Sequence, residues 1–122
     1  MAAIQSHRDL VVWRKAMDLV VLVIQVAAGF PRTEMYRLVA QLTRAAASVP
    51  ANIAEGHARG TAKDYANFLA IAKGSLMKTE TFLMLAVRLN YLTDREAKPA
   101  LELVGEISKM LTSLRSRILT SR

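Results

Sequence analysis

Apolar residues recur every three or four positions along almost the whole chain, and no stretch alternates apolar and polar residues over a useful length. Side chains three and four apart share one face of a helix, whereas a half-buried strand needs a period of two. A chain patterned this way buries its apolar surface by packing helix against helix, so the fold class is all-α. Only five Gly and three Pro punctuate the 122 residues, and they divide the chain into four helical segments. The first is expected over about 9–28, stopping at Gly29-Phe30-Pro31, and the second over about 33–59, with Thr33 as N-cap and Gly60 as its end. Pro50 lies inside the second, where it removes a backbone hydrogen bond and crowds the carbonyl of Ala46, so a kink or local break is expected there. The third is expected over about 62–92, opened by Thr61 and Asp64 in the relation of a capping box. Thr93 and Glu96 repeat the device for the fourth, over about 94–119, and Pro99 is expected to set its first turn apart as a separate short piece.

The apolar pattern also bears on assembly. In the first helix Leu10, Trp13, Met17, Val20, Ile24 and Ala27 form one seam, and Val12, Ala16, Leu19, Val23, Val26 and Phe30 a second. In the third, Tyr65, Leu69, Ala72, Leu76, Leu83 and Ala86 form one, and Phe68, Ile71, Phe82, Leu85 and Leu89 another. The fourth carries a single face of Ala100, Leu103, Ile107, Met110, Leu114 and Ile118. One antiparallel up-and-down four-helix bundle uses one seam per helix plus flanking positions. The second seams, with Val12, Leu19, Val23, Phe68, Ile71 and Phe82, then point to a homo-oligomer; the alternative is that wide seams serve one thick bundle core.

Composition narrows the chemistry. The chain has no cysteine, which excludes disulfides, thiol catalysis and Cys-based zinc sites. Its longest uncharged apolar stretch, Leu19 to Phe30, is far shorter than the roughly 20 residues of a membrane-spanning helix. Charges at Arg8, Asp9, Arg14, Lys15 and Asp18 leave no hydrophobic leader, so the expected location is the cytoplasm. Seventeen Lys and Arg against ten Asp and Glu give a formal charge of +7, which favours a polyanionic partner.

Within the second helix a polar stripe crosses an alanine-rich background: Arg37, Gln41, Arg44, Ser48, Asn52, Glu55 and Arg59. Steps of three and four residues place them on one face. As structure, Arg44, Asn52, Glu55 and Ser75 would satisfy one another between the second and third helices. As function, Arg37, Arg44 and Arg59 would contact phosphates, with Gln41 and Asn52 adding hydrogen bonds.

The runs Gln41-Leu42-Thr43-Arg44-Ala45-Ala46, Ser48-Val49-Pro50-Ala51-Asn52-Ile53-Ala54-Glu55-Gly56 and Ile71-Ala72-Lys73-Gly74-Ser75-Leu76 resemble the bacterial four-helix bundle proteins first noticed in intervening sequences of large-subunit ribosomal RNA genes. Val12-Trp13-Arg14-Lys15-Ala16, Phe30-Pro31 and Arg59 add to the likeness, which extends from about Asp9 to Leu114. The resemblance implies a homopentameric barrel around a central pore. It also implies kinship with the accessory proteins of diversity-generating retroelements, which bind nucleic acid and a reverse transcriptase. One departure stands out. Where that family usually reads Gly-Ser-Leu, a small residue, then Glu, this chain has Gly74-Ser75-Leu76-Met77-Lys78; the second acid of the motif survives as Glu80. A base at this seam position would leave the acid's former partner, such as an arginine of the second helix, facing like charge.

The candidate nucleic-acid contacts are therefore Arg37, Arg44, Arg59, Lys63 and Lys73, and the candidate polar network is Asn52, Glu55, Ser75 and Glu80. The oligomer seam is read as Val12, Leu19, Val23, Phe68, Ile71, Lys78 and Phe82. Gly74 is expected to permit a close helix crossing with Ala45, Ala46 and Ala47. Trp13, Tyr65, Phe68 and Phe82 read as core, leaving Tyr36 and Tyr91 as exposed rings. Lys109, Arg115, Arg117 and Arg122 are further scattered bases. Catalysis is not expected: His7 and His57 lack the Glu-x-x-His spacing of a di-iron bundle, and there is no glycine-rich phosphate loop, so neither cofactor nor metal is implied. The expected function is a non-catalytic, oligomeric nucleic-acid-binding accessory protein contacting RNA or DNA phosphates. The alternative is a homo-oligomeric scaffold that recruits a partner enzyme such as a reverse transcriptase.

Overall fold

The structure, a computed structural model describing residues 6–120, contains four α-helices and no strand among those residues: α1, Val11–Ala27; α2, Leu38–Ala58; α3, Ala62–Arg88; and α4, Asp94–Thr120. Short 3-10 turns at His7–Asp9 and Arg32–Glu34 precede α1 and α2. Each helix packs against two others, in the cyclic order α1, α2, α3, α4. Consecutive helices joined by short connections run antiparallel, which gives the four-helix bundle. Contacts at opposite ends agree with that direction, since Gly56 near the end of α2 meets Tyr65 and Phe68 near the start of α3.

Two helix starts follow the sequence reading. Thr61 Oγ1 accepts from the Asp64 amide at 3.1 Å. Thr93 and Glu96 form a reciprocal box, the Glu96 amide donating to Thr93 Oγ1 and the Thr93 amide donating to Glu96 Oε1. Each satisfies backbone donors that a helix start leaves open. The start of α2 differs from expectation. Thr33 lies inside the 3-10 turn rather than at an N-cap, and α2 begins five residues later, after Arg37, with no side-chain cap. The physical reason is that the Glu34 amide donates to the Pro31 carbonyl and the Arg37 amide to Glu34, closing tight turns before an α-helix can form.

α2 runs unbroken through Pro50, and α4 runs unbroken from Asp94 through Pro99, so neither local break is present. Pro50 is buried, and packing outweighs the lost hydrogen bond. α3 ends at Arg88, four residues before the expected boundary, because Asn90 takes a left-handed conformation with φ 62. Gly60, with φ 90, turns the chain from α2 to α3, a backbone geometry that glycine adopts without strain.

The core draws on every helix: Leu19 and Val23 of α1, Leu42, Val49 and Ile53 of α2, Leu69, Leu76 and Leu83 of α3, and Val104, Ile107 and Leu111 of α4 are fully buried or nearly so. Val12, Leu19 and Val23, assigned above to an oligomer seam, lie in this core at 4%, 0% and 0% exposure. Of the two seams of α1, this one turns inward, with Ala16 at its centre fully buried. On the outer side Met17, Val21 and Ile24 remain exposed. In α3 Leu69, Ala72, Leu76, Leu83 and Ala86 lie inside, Phe68 and Phe82 are half-buried, and Ile71, Leu85 and, just past the helix end, Leu89 lie outside. Tyr91 is half-buried rather than exposed, because its ring packs on Phe30 and its hydroxyl reaches Glu34. Tyr36 is open, at 90% exposure. No described helix is long and apolar enough to cross a membrane.

Candidate nucleic-acid interface

Alanines at 45 and 46 turn α2 inward, so the polar residues between them and the next apolar position face out or into the seam with α3. Arg37, Gln41, Arg44, Glu55 and Arg59 are exposed, and Ser48 and Asn52 are half-buried in the middle of the stripe. At about 1.5 Å per residue, Arg37 and Arg59 stand roughly 33 Å apart with Arg44 between them. Such a span suits contacts along an extended ligand rather than with a single anion.

The two end arginines already have partners. Arg37 Nε lies 3.6 Å from Glu34 Oε1, and Arg59 Nε lies 3.4 Å from Glu55 Oε2. The Arg59 guanidinium also sits 4.8 Å above the Phe68 ring. The Arg59–Glu55 pair is exposed on both sides, and such pairs contribute about 0–1 kcal/mol. Glu34 is held more firmly. Tyr91 Oη donates to its Oε2 at 2.7 Å, which lowers the Glu34 pKa against the opposing effect of burial, and the same bond raises that of Tyr91.

The centre of the stripe is different. Ser75 of α3 donates from Oγ to Ser48 Oγ at 2.9 Å, and Asn52 Nδ2 donates to both Ser48 Oγ and the Ser48 carbonyl at 2.8 Å. The network proposed from sequence thus contains Asn52 and Ser75, joined through Ser48 as the hub. Glu55 does not join it, because it pairs with Arg59 one turn on. Glu80 makes no hydrogen bond or ion pair among the described residues; two positions beyond Lys78, it points about 200° round the helix. Beside the serines a cleft of about 310 Å³ opens between α2 and α3, bordered by Gln41, Arg44, Ser48, Ser75, Lys78 and Phe82. Lys78, read above as part of an oligomer seam, therefore shares a cleft with Arg44, and neither has an ion-pair partner among the described residues.

The remaining predicted bases are not gathered here. Lys73 faces α4, where its Nζ donates to Thr112 Oγ1 at 2.7 Å beside an apolar groove of about 650 Å³. Lys63 is exposed in the first turn of α3. Arg115 is tied to the α3 backbone, its Nε donating to the Ala66 carbonyl at 3.1 Å. Arg122 lies outside the described residues. Phe68, Ile71 and Phe82 flank the stripe on α3, half-buried or exposed.

Two features escaped the sequence reading. The close α2–α3 approach is made by Gly56 rather than Gly74: a Cβ on Gly56 would lie 2.7 Å from Phe68 Cβ, whereas one on Gly74 would meet nothing within 4 Å. The place of Gly56 on the same helix face as Asn52 and Ser48, one and two turns along, was its only signal. Tyr65 is the second. Its Oη is buried without a hydrogen-bond partner among the described residues, and burial raises its pKa. No cluster of three or more His, Asp or Glu side chains suited to a metal ion occurs among the described residues.

Comparison with known proteins places the chain. It is similar to a Bacteroides thetaiotaomicron VPI-5482 protein of unknown function from the S23 ribosomal protein family, with 26% identity and a TM-score of 0.80 over 86% of this chain and 98% of that one. No curated protein matches it. The family model described as 23S rRNA-intervening sequence protein matches residues 8–113. With nearly the whole bundle covered, the chain belongs to the 23S rRNA-intervening sequence protein family.

Proposed function

We propose that this protein is a cytoplasmic, non-catalytic accessory protein that binds RNA or DNA through phosphate contacts along the α2 stripe. The observation that carries this reading is the outward presentation of Arg37, Arg44 and Arg59 on one face, in a chain of net charge +7. Arginine and lysine on such a face recognise backbone rather than base sequence. The family's link to intervening sequences of ribosomal RNA is in keeping with a nucleic-acid partner.

The protein acts in this reading as a homo-oligomer, with the pentamer implied by the family resemblance as the expected form. Ile71 and Leu85 of α3, Leu89 just past its end, and Met17, Val21 and Ile24 of α1 are among the exposed apolar residues available for subunit contacts. Repetition round a symmetry axis multiplies the basic face and its field. Sedimentation at micromolar concentration tests this; a monomer overturns it.

The same exposed apolar residues favour a second reading, a scaffold that recruits a partner enzyme such as a reverse transcriptase. Fluorescence anisotropy with matched labelled RNA and DNA, single- and double-stranded, across a salt series separates the two. Direct binding gives an affinity whose logarithm falls linearly with log salt. Absence of binding at low salt leaves the scaffold.

A further inference from the structure

We propose that the cleft between α2 and α3 is a seat for one phosphate group, gripped by Arg44 and Lys78 and completed by a serine hydroxyl. For the source of that phosphate, a nucleic-acid backbone, it rests on the reading of the stripe given above.

The charge comes first. Arg44 and Lys78 border the same cleft, and neither forms an ion pair or hydrogen bond among the described residues. An anion entering the cleft meets both cations, and its attraction to the two adds. Among the residues bordering the cleft there is no carboxylate. Its nearest acid in sequence to Lys78, Glu80, is directed away, and Glu55 is engaged by Arg59.

The serines supply a second, independent observation. Ser48 and Ser75 together own two hydroxyl protons, and one lies in the bond between them; Asn52 brings its own proton to Ser48. Whichever serine donates, one hydroxyl proton is left without an acceptor among the described residues. That donor borders the cleft, beside the Gln41 amide. A tetrahedral oxyanion accepts from a guanidinium, an ammonium and a hydroxyl at once, and charge-assisted hydrogen bonds are the strong ones. Phe82 supplies part of the cleft's apolar lining.

Lys78 is what makes the cleft doubly basic. An acid at this position would pair with Arg44 and fill the site from within, so the seat depends on the residue in which this chain departs from the usual pattern.

The test uses the full chain at low salt and inorganic phosphate as probe, followed by calorimetry, with a single-stranded oligonucleotide in parallel. Lys78→Gln and Arg44→Gln should each weaken phosphate binding by about tenfold, and Lys78→Glu should abolish it. Lys98→Gln removes the same charge from an exposed site on α4 and should change it by less than about twofold. Equal losses in Lys78→Gln and Lys98→Gln would overturn the seat, because net charge alone would then explain them. Thermal unfolding of each variant verifies that the bundle is intact, and Lys78→Met, which keeps the apolar stem, repeats the test should Lys78→Gln unfold. The two proposals fail separately. Oligonucleotide binding lost in Arg37→Glu/Arg59→Glu but untouched in Lys78→Gln sinks the seat and spares the nucleic-acid reading; tenfold effects on phosphate with no oligonucleotide binding do the reverse.

Discussion

Helix α3 meets its two neighbours in different ways. Toward α2 the contact is tight: at Gly56 the helices approach so closely that a Cβ there would lie 2.7 Å from Phe68 Cβ, Ala46 is fully buried, and a serine pair hydrogen-bonds across. Toward α4 the contact is looser, with an open groove of about 650 Å³, a mid-helix glycine that touches nothing, and polar ties from Lys73 to Thr112 and from Arg115 to Ala66. The difference locates specificity. Where backbones are close, small polar residues fix the register and frame a cleft; where they are apart, long side chains bridge the gap and tolerate change.

The largest expected effect breaks the tight side. Gly56→Ala gains helix propensity but places a methyl group 2.7 Å from Phe68 Cβ and 3.3 Å from the Tyr65 carbonyl, neither of which is a flexible side-chain end. Overpacking of this kind outweighs the propensity gain, and a net loss of roughly 2 kcal/mol is expected, about 8 °C in Tm. Gly74→Ala on the loose side should have the opposite sign, a gain of about 1 kcal/mol, since the new methyl meets nothing. Thermal denaturation of the two variants side by side is the measurement. Stabilisation by both would show that the α2–α3 approach yields easily, and the contrast between the two flanks would collapse.

These glycines also show what a sequence conceals. Both sit within helical patterns, Gly56 between Glu55 and His57 and Gly74 between Lys73 and Ser75, and nothing local says which one faces a neighbouring backbone. The same holds for the seams of α1: spacing assigns residues to a common face, but the direction of that face depends on the other helices, so Val12, Leu19 and Val23 were legible as a seam and illegible as core. Lys78 stood out against the pattern of the family the chain resembles, which already put an arginine of the second helix opposite it; that Arg44 shares its cleft is read from the fold. The helix starts at Thr61 and Thr93 were readable because a cap is a contact three residues long. Thr33 misled for the converse reason, since the turn around it is held by Glu34 and a tyrosine 57 residues away.

The caps sharpen the comparison at a smaller scale. Thr61→Ala opens the turn between α2 and α3, and Thr93→Ala the turn between α3 and α4. Each should cost about 1 kcal/mol. The two losses should be alike, because the residue 93 amide still donates to Glu96 Oε1 in Thr93→Ala; Glu96→Ala removes that second arm of the box and should cost about 0.5 kcal/mol. An unchanged Tm in Glu96→Ala would show that the Glu96 side of the box contributes nothing.

The smallest effect concerns the end of the bundle where the two connections meet. Tyr91 follows α3, Glu34 precedes α2, and their bond ties the α1–α2 and α3–α4 connections together. The Tyr91 hydroxyl lowers the Glu34 pKa below its ordinary 4.5, so the folded state holds this proton more weakly than the unfolded one. The stability gained is present above that ordinary value and is lost as pH falls through the lowered folded pKa. At the alkaline end the sign is reversed. Tyr91 has its pKa raised above the ordinary 10.0 by the same bond, so its contribution is complete below pH 10 and fades as pH rises through the folded value. Tyr91→Phe removes the alkaline dependence and the largest cause of the acid one, leaving the Leu38 amide and Arg37 on Glu34, while keeping the ring against Phe30. Unfolding free energy of wild type and variant, measured by denaturant titration from acid to alkaline pH, should converge at both extremes and differ most in between. A difference constant across pH would mean that the bond does not control either proton, and that the end of the bundle is held by the ring alone.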